Sequence, residues 1–76
     1  MALYVGKIEL VGHAACAAVE VGLHAANAEE AAQNAPAFVR DRDSTLRLGR
    51  ILEDFAEVPA TEENVETTTG WINLIR

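Results

Sequence analysis

Four residues whose side chains can bind a metal or take part in catalysis lie near the start of the chain: His13, Cys16, Glu20 and His24. If residues 13–24 formed a helix, these side chains would line one stripe, and zinc accepts such ligands in tetrahedral geometry. We instead interpret the segment as a turn followed by a strand, where extended spacing separates Cys16 from His24 by more than one ion can bridge. The sequence therefore predicts no metal site and no bound cofactor.

The same region also holds a candidate nucleophile. Cys16 needs an adjacent base to react as a thiolate, and His13 could serve as that base. No third orienting group or oxyanion-binding device accompanies the two residues. Glu53 and Asp54 are neighbours in the sequence and would point to opposite sides of a strand, so they do not form an acid–base couple. Because a 76-residue chain has little room for both a core and a catalytic cleft, we predict that the protein is not an enzyme.

Two segments in the first third of the chain predict strands. Residues 3–11 place apolar side chains on one parity and Lys7 and Glu9 on the other, which is typical of a half-buried strand. Residues 17–25 alternate in the same way and contain β-branched valines, which favour extended backbone. A turn over residues 12–16 would connect the two strands.

A helix follows the second predicted strand. Asn27 and Glu30 have the spacing of a capping box, in which each side chain accepts the backbone N–H of the other residue. We predict that the helix ends near Ala35, because Pro36 cannot continue a helix without a kink. A further helical turn over residues 36–42, which would bury Phe38 and Val39, remains an alternative.

The second half of the chain is less regular. Residues 45–58 fit a helix and a strand about equally, and residues 65–75 favour a strand because they are rich in Val, Thr, Trp and Ile. With residues 59–64 as a loop, the two segments predict a hairpin. We therefore predict one α+β domain over residues 1–76, a small antiparallel sheet with one helix packed on one face, in the order β-β-α-β-β. The order β-β-α-α-β, with a second helix over residues 45–57, stays open.

The net charge of −6 is concentrated in one stretch. Residues 51–66 contain six acids and no base, whereas the acids and bases of the remaining chain balance. One interpretation is a solvated sheet edge whose charges prevent aggregation. The other is an acidic surface that binds a basic partner, with Trp71 or Tyr4 as an apolar anchor. The predicted partner-binding acids are Glu53, Asp54, Glu57, Glu62, Glu63 and Glu66.

Composition also excludes several classes of protein. The acidic balance argues against direct binding to nucleic acid or to an anionic membrane surface. One cysteine cannot form an internal disulfide, and no run of about 18 apolar residues is present to span a membrane. Without a signal-peptide pattern at the N-terminus, the sequence predicts a soluble cytoplasmic protein.

The short chain, the acid run over residues 53–66, the compact β-and-α pattern and the lack of a catalytic motif together resemble small acidic phage-encoded inhibitors, in particular anti-CRISPR proteins. The resemblance covers the whole chain but carries no specific motif, so it assigns no role to any residue. It implies a protein of the host-cell cytoplasm that blocks a nuclease-complex surface or its nucleic-acid channel. We therefore predict a non-enzymatic, stoichiometric inhibitor that docks on a basic surface of a larger protein or nucleoprotein complex. The alternative is a homo-oligomeric structural or accessory protein, such as a homodimer, without inhibitor activity.

Overall fold

The computed structural model describes residues 2–12, 17–59 and 70–75. These residues form one antiparallel sheet of four strands, in the order β3-β1-β2-β4, and one helix. The α+β class and the small antiparallel sheet with one helix are therefore confirmed. The elements are β1 (Ala2–Leu10), β2 (Ala18–Ala25), α1 (Ala28–Arg42), β3 (Leu48–Glu57) and β4 (Trp71–Ile75).

The hairpin of β1 and β2 forms the centre of the sheet, because these two strands bury side chains on both faces. On the side facing α1, even-numbered residues of β1 lie opposite odd-numbered residues of β2. On the other side, Leu3 and Ala18 are also buried. The core between the sheet and the helix comprises Tyr4, Ile8, Leu10, Val19, Val21, Leu23, Ala25, Ala31, Ala35, Val39, Leu46 and Phe55.

The predicted hairpin between the last two strands does not form. β3 pairs with β1 and β4 pairs with β2, so the two strands lie at opposite edges of the sheet. The physical reason is burial, since β1 and β2 contain most of the buried strand residues whereas most side chains of β3 are exposed. Residues 48–57, which fit a helix and a strand equally in the sequence, form the edge strand β3.

The predicted N-cap of the helix is present with one change of partner. The Asn27 side chain accepts the N–H of Glu30 at 2.8 Å, as expected. The Glu30 carboxylate accepts the N–H of Ala26 at 3.2 Å rather than that of Asn27. Because Asn27 is fully extended (φ −158°, ψ 173°), the Glu30 carboxylate faces the N–H of Ala26, the preceding residue.

The helix ends at the later of the two positions that the sequence left open. Instead of ending near Ala35, α1 continues through Pro36 to Arg42. The extra turns bury Val39 in the core and pack Phe38 against it, which offsets the hydrogen bond that Pro36 cannot donate. The helix then ends where the Asp43 N–H donates to the Val39 carbonyl at 2.8 Å.

We expect Asn27→Ala to lower the free energy of unfolding by about 1 kcal/mol, because it removes the N-cap acceptor. Asn34→Ala is the matched control, since Asn34 is exposed within α1 and alanine has the higher helix propensity. Urea unfolding followed by circular dichroism should show a lower midpoint for Asn27→Ala at an unchanged slope. Equal midpoints for the two variants would contradict the cap.

Candidate binding surface at the sheet edges

The described part of the acid run lies along β3, at one edge of the sheet. Glu53, Asp54 and Glu57 are all exposed. Glu53 lies opposite Lys7 and Glu57 lies opposite Tyr4, and these two residues of β1 point to different faces. The described acids therefore follow the edge of the sheet rather than one of its faces. The other predicted acids, Glu62, Glu63 and Glu66, lie outside the described residues.

One of the three edge acids is paired with a base. Lys7 Nζ lies 3.3 Å from Glu53 Oε1, and the two side chains are 31% and 64% exposed. An ion pair this accessible to water contributes about 0–1 kcal/mol. Within the described ranges, Asp54 and Glu57 form no ion pair. The C-terminal half of β3 therefore keeps a negative potential.

The pairing of β3 with β1 is irregular. Its register shifts at three places, between Val5 and Lys7, between Lys7 and Ile8, and between Ile8 and Leu10. Bulges of this kind bend an edge strand and redirect its side chains. Gly49 lies within the last shift.

Two apolar residues on this strand are exposed, and the sequence did not single them out. Ile51 is 42% exposed and Leu52 is 45% exposed, directly before Glu53. The signal that could have identified them is a pair of neighbouring large apolar residues on an edge strand. Adjacent residues of a strand point to opposite faces, so one helix cannot cover both. The β3 edge thus presents apolar and acidic groups side by side.

The aromatic residues predicted as anchors occupy different environments. Tyr4 is 9% exposed and belongs to the core, so little of it is accessible to a partner. Trp71 is half-buried at the start of β4, opposite Gly22 on the face that no described helix covers. A Cβ atom added at Gly22 would lie 2.5–2.8 Å from three atoms of the Trp71 ring, so the indole lies directly on this glycine.

Arg42 connects the end of α1 with the start of β4. Its guanidinium lies 4.9 Å from the centroid of the Phe38 ring, within the range of a cation–π contact. Its Nη2 donates to the Gly70 carbonyl at 3.3 Å. Gly70 has a φ of +84°, a left-handed conformation that favours glycine. The contacts of Arg42 with Phe38 and Gly70 therefore stabilise the fold by joining α1 to the start of β4.

A cleft of about 440 Å³ opens between α1 and the start of β3. Arg40 and Arg47 supply its charged groups, and the remaining lining is Pro36, Leu46, Leu48 and Gly49. These residues include no nucleophile and no acid–base pair.

The residues that resembled a metal-binding stripe are only partly described. Glu20 and His24 lie four residues apart on β2, both partly buried, whereas His13 and Cys16 lie outside the described residues. Within residues 2–12, 17–59 and 70–75, no group of three or more His, Cys, Asp or Glu side chains could hold a metal ion.

The contact between Trp71 and Gly22 yields a prediction. Gly22→Ala should displace the indole, lower the free energy of unfolding by about 1–3 kcal/mol and shift the tryptophan emission to longer wavelength. The emission reports on this site alone because the chain has one tryptophan. In the control Gly49→Ala, the new Cβ meets the side chains of Glu9 and Val11, at the opposite edge of the sheet from Trp71, and we expect unchanged emission. Identical spectra for both variants and the parent chain would contradict the packing.

Comparison with known proteins gives no relative for this chain: no protein-family model matches it, and neither the curated proteins nor the solved structures contain a match. In the part of the chain that the structure describes, no helix is both long and apolar enough to cross a membrane. The basis for a function is therefore the geometry and charge of the sheet edges.

Proposed function

We propose that this chain is a non-enzymatic binding protein that docks the β3 edge on a basic surface of a larger protein or nucleoprotein complex. It acts in the cytoplasm as a stoichiometric inhibitor that covers a surface which otherwise binds nucleic acid. The observation that carries the proposal is the exposure of Ile51 and Leu52 directly beside the acids of β3.

If the β3 edge were only a solvated edge, its two exposed apolar side chains would not contribute to its solubility. Charged residues and bulges are enough to keep an edge strand soluble. Exposed Ile51 and Leu52 weaken that protection, and they supply the apolar contact that a charged patch lacks. An apolar anchor bordered by acids fits a surface on which basic side chains surround an apolar depression.

The acids contribute orientation and speed of association. Complementary charges steer the approach of two proteins and raise the association rate, and salt screens this effect. Asp54 and Glu57, which have no ion-pair partner in the described ranges, carry most of this steering. Glu53 contributes less because Lys7 accompanies it.

The proposed surface also includes three acids that we assign from the sequence alone. Glu62, Glu63 and Glu66 follow β3 along the chain and extend its negative charge. We include Trp71 as a peripheral contact through the part of its ring that remains exposed. We further propose that the whole chain is one domain in the order β-β-α-β-β.

A decalysine peptide provides a minimal basic probe for this surface. Titration into the labelled protein, followed through its backbone amide shifts, should perturb residues 51–57 on β3 more strongly than Glu29 and Asp41 on α1. The perturbation should weaken as the salt concentration increases, since screening shortens the reach of surface charges. Shifts of equal size around α1 would contradict a docking surface at β3.

Charge reversal tests the same surface by mutation. Asp54→Lys combined with Glu57→Lys should weaken decalysine binding at low salt about tenfold. The control, Glu29→Lys combined with Asp41→Lys, changes the net charge equally at exposed positions of α1 and should weaken binding much less. Equal losses in the two double variants would show that net charge alone is responsible.

The inhibitory role needs its own test. A basic partner purified together with the chain should lose its nucleic-acid binding when chain and partner are present at a molar ratio of one to one. With the β3 double variant in place of the parent chain, the partner should still bind nucleic acid. If the partner binds nucleic acid equally well with the chain bound, the protein is an accessory component and the inhibitor proposal is wrong.

A further inference from the structure

The two edges of the sheet differ in how they are protected against pairing with another strand. β3 has three register shifts and exposes Glu53, Asp54 and Glu57. β4 pairs with β2 in an unbroken register, from Trp71 opposite Gly22 to Ile75 opposite Ala18. Its five residues, Trp-Ile-Asn-Leu-Ile, contain no charge and no proline.

A regular, uncharged edge strand such as β4 can pair with another strand. Natural sheets protect their edges with charges, prolines or bulges, and β4 shows none of these over residues 71–75. No strand in the described ranges lies beyond it. In an edge strand, the N–H and C=O groups of alternate residues point away from the sheet, where another strand can bind them.

We propose that β4 pairs antiparallel with β4 of a second copy of this chain, around a two-fold axis at Asn73, so that two four-stranded sheets join into one of eight strands. This proposal does not rest on the function proposed for β3, because it concerns the opposite edge. An isologous contact of this type closes at two subunits.

The sequence of β4 is self-complementary in this arrangement. Trp71 would lie opposite Ile75 of the second copy, Ile72 opposite Leu74, and Asn73 opposite itself. Cross-strand pairs of an aromatic with a β-branched residue, and of two aliphatic residues, stabilise antiparallel sheets. The two Asn73 amides can donate to and accept from each other.

Charge repulsion opposes a second copy least at the β4 edge. Two molecules with a net charge of −6 repel each other, most strongly where acids are exposed. The β4 edge brings no acid of either copy opposite another, since residues 71–75 are uncharged. The acidic β3 edges would then lie at the two far ends of the joined sheet.

The exposure of Leu74 has an explanation in the dimer. Leu74 is 40% exposed on the face that carries α1, next to Ile72, which packs against the core. Pairing Leu74 with Ile72 of the second copy would extend both cores across the interface. With five residues in each strand, the interface is smaller than the ~1,600 Å² of a standard stable complex, so we expect a dissociation constant in the micromolar range.

Sedimentation equilibrium measures this association directly. The parent chain should be a dimer near 1 mM and dissociate on dilution, and Leu74→Lys should raise the dissociation constant at least tenfold. Leu52→Lys is the matched control, because Leu52 is equally exposed but lies on β3, and it should leave the constant unchanged. A monomeric parent chain near 1 mM, or disruption by Leu52→Lys alone, would overturn the proposal.

Cross-linking tests the register of the pairing. In a Cys16→Ser background, Asn73→Cys should form a disulfide-linked dimer on air oxidation, because residues opposite each other in antiparallel strands have Cα atoms about 4.5–5.5 Å apart. Leu52→Cys should remain monomeric. Cross-linking of Leu52→Cys to the same extent, or of neither variant, would contradict pairing through β4.

Discussion

Two aromatic rings that lie directly on glycines hold the outer strands of the sheet against its central hairpin. Phe55 of β3 covers Gly6 on the side of the helix, where an added Cβ would lie 2.8 Å from two ring atoms. Trp71 of β4 covers Gly22 on the opposite side. The two glycines lie on neighbouring strands in adjacent residue pairs of the β1–β2 register. A side chain at either glycine would force the ring, and with it an edge strand, away from the hairpin.

Because both edges are attached in the same way, their different surfaces decide what each can bind. The edge formed by β3 is bulged and acidic, with Ile51 and Leu52 exposed beside the acids. The edge formed by β4 is regular and uncharged. We propose that the first binds a basic partner and the second binds another copy of the chain. Together these contacts would give a bivalent molecule with an acidic edge at each end, and bivalence raises the overall affinity for a partner that repeats its binding surface.

Local patterns predicted much of this fold, and long-range packing determined the rest. The alternation in residues 3–11 and 17–25 identified the central strands, and the Asn27 cap identified the start of the helix. Continuation through Pro36 depends on the burial of Val39, and the sequence offered this only as an alternative because Pro36 favours an earlier end. The placement of β3 and β4 at opposite edges depends on β1 and β2 containing most of the buried strand residues. The exposure of Ile51 and Leu52 depends on the position of β3 at the sheet edge, so the sequence indicated the acids of this surface but not its apolar part.

We propose that the two edges of one sheet have opposite tendencies to pair with a strand. Amide hydrogen exchange resolved by residue, between about 10 μM and about 1 mM protein, measures this most directly. We predict that the outward-facing amides of β4 exchange more slowly as the concentration increases, whereas those of β3 exchange at the same rate throughout. Slower exchange along β3, or unchanged exchange along both strands, would contradict the claim.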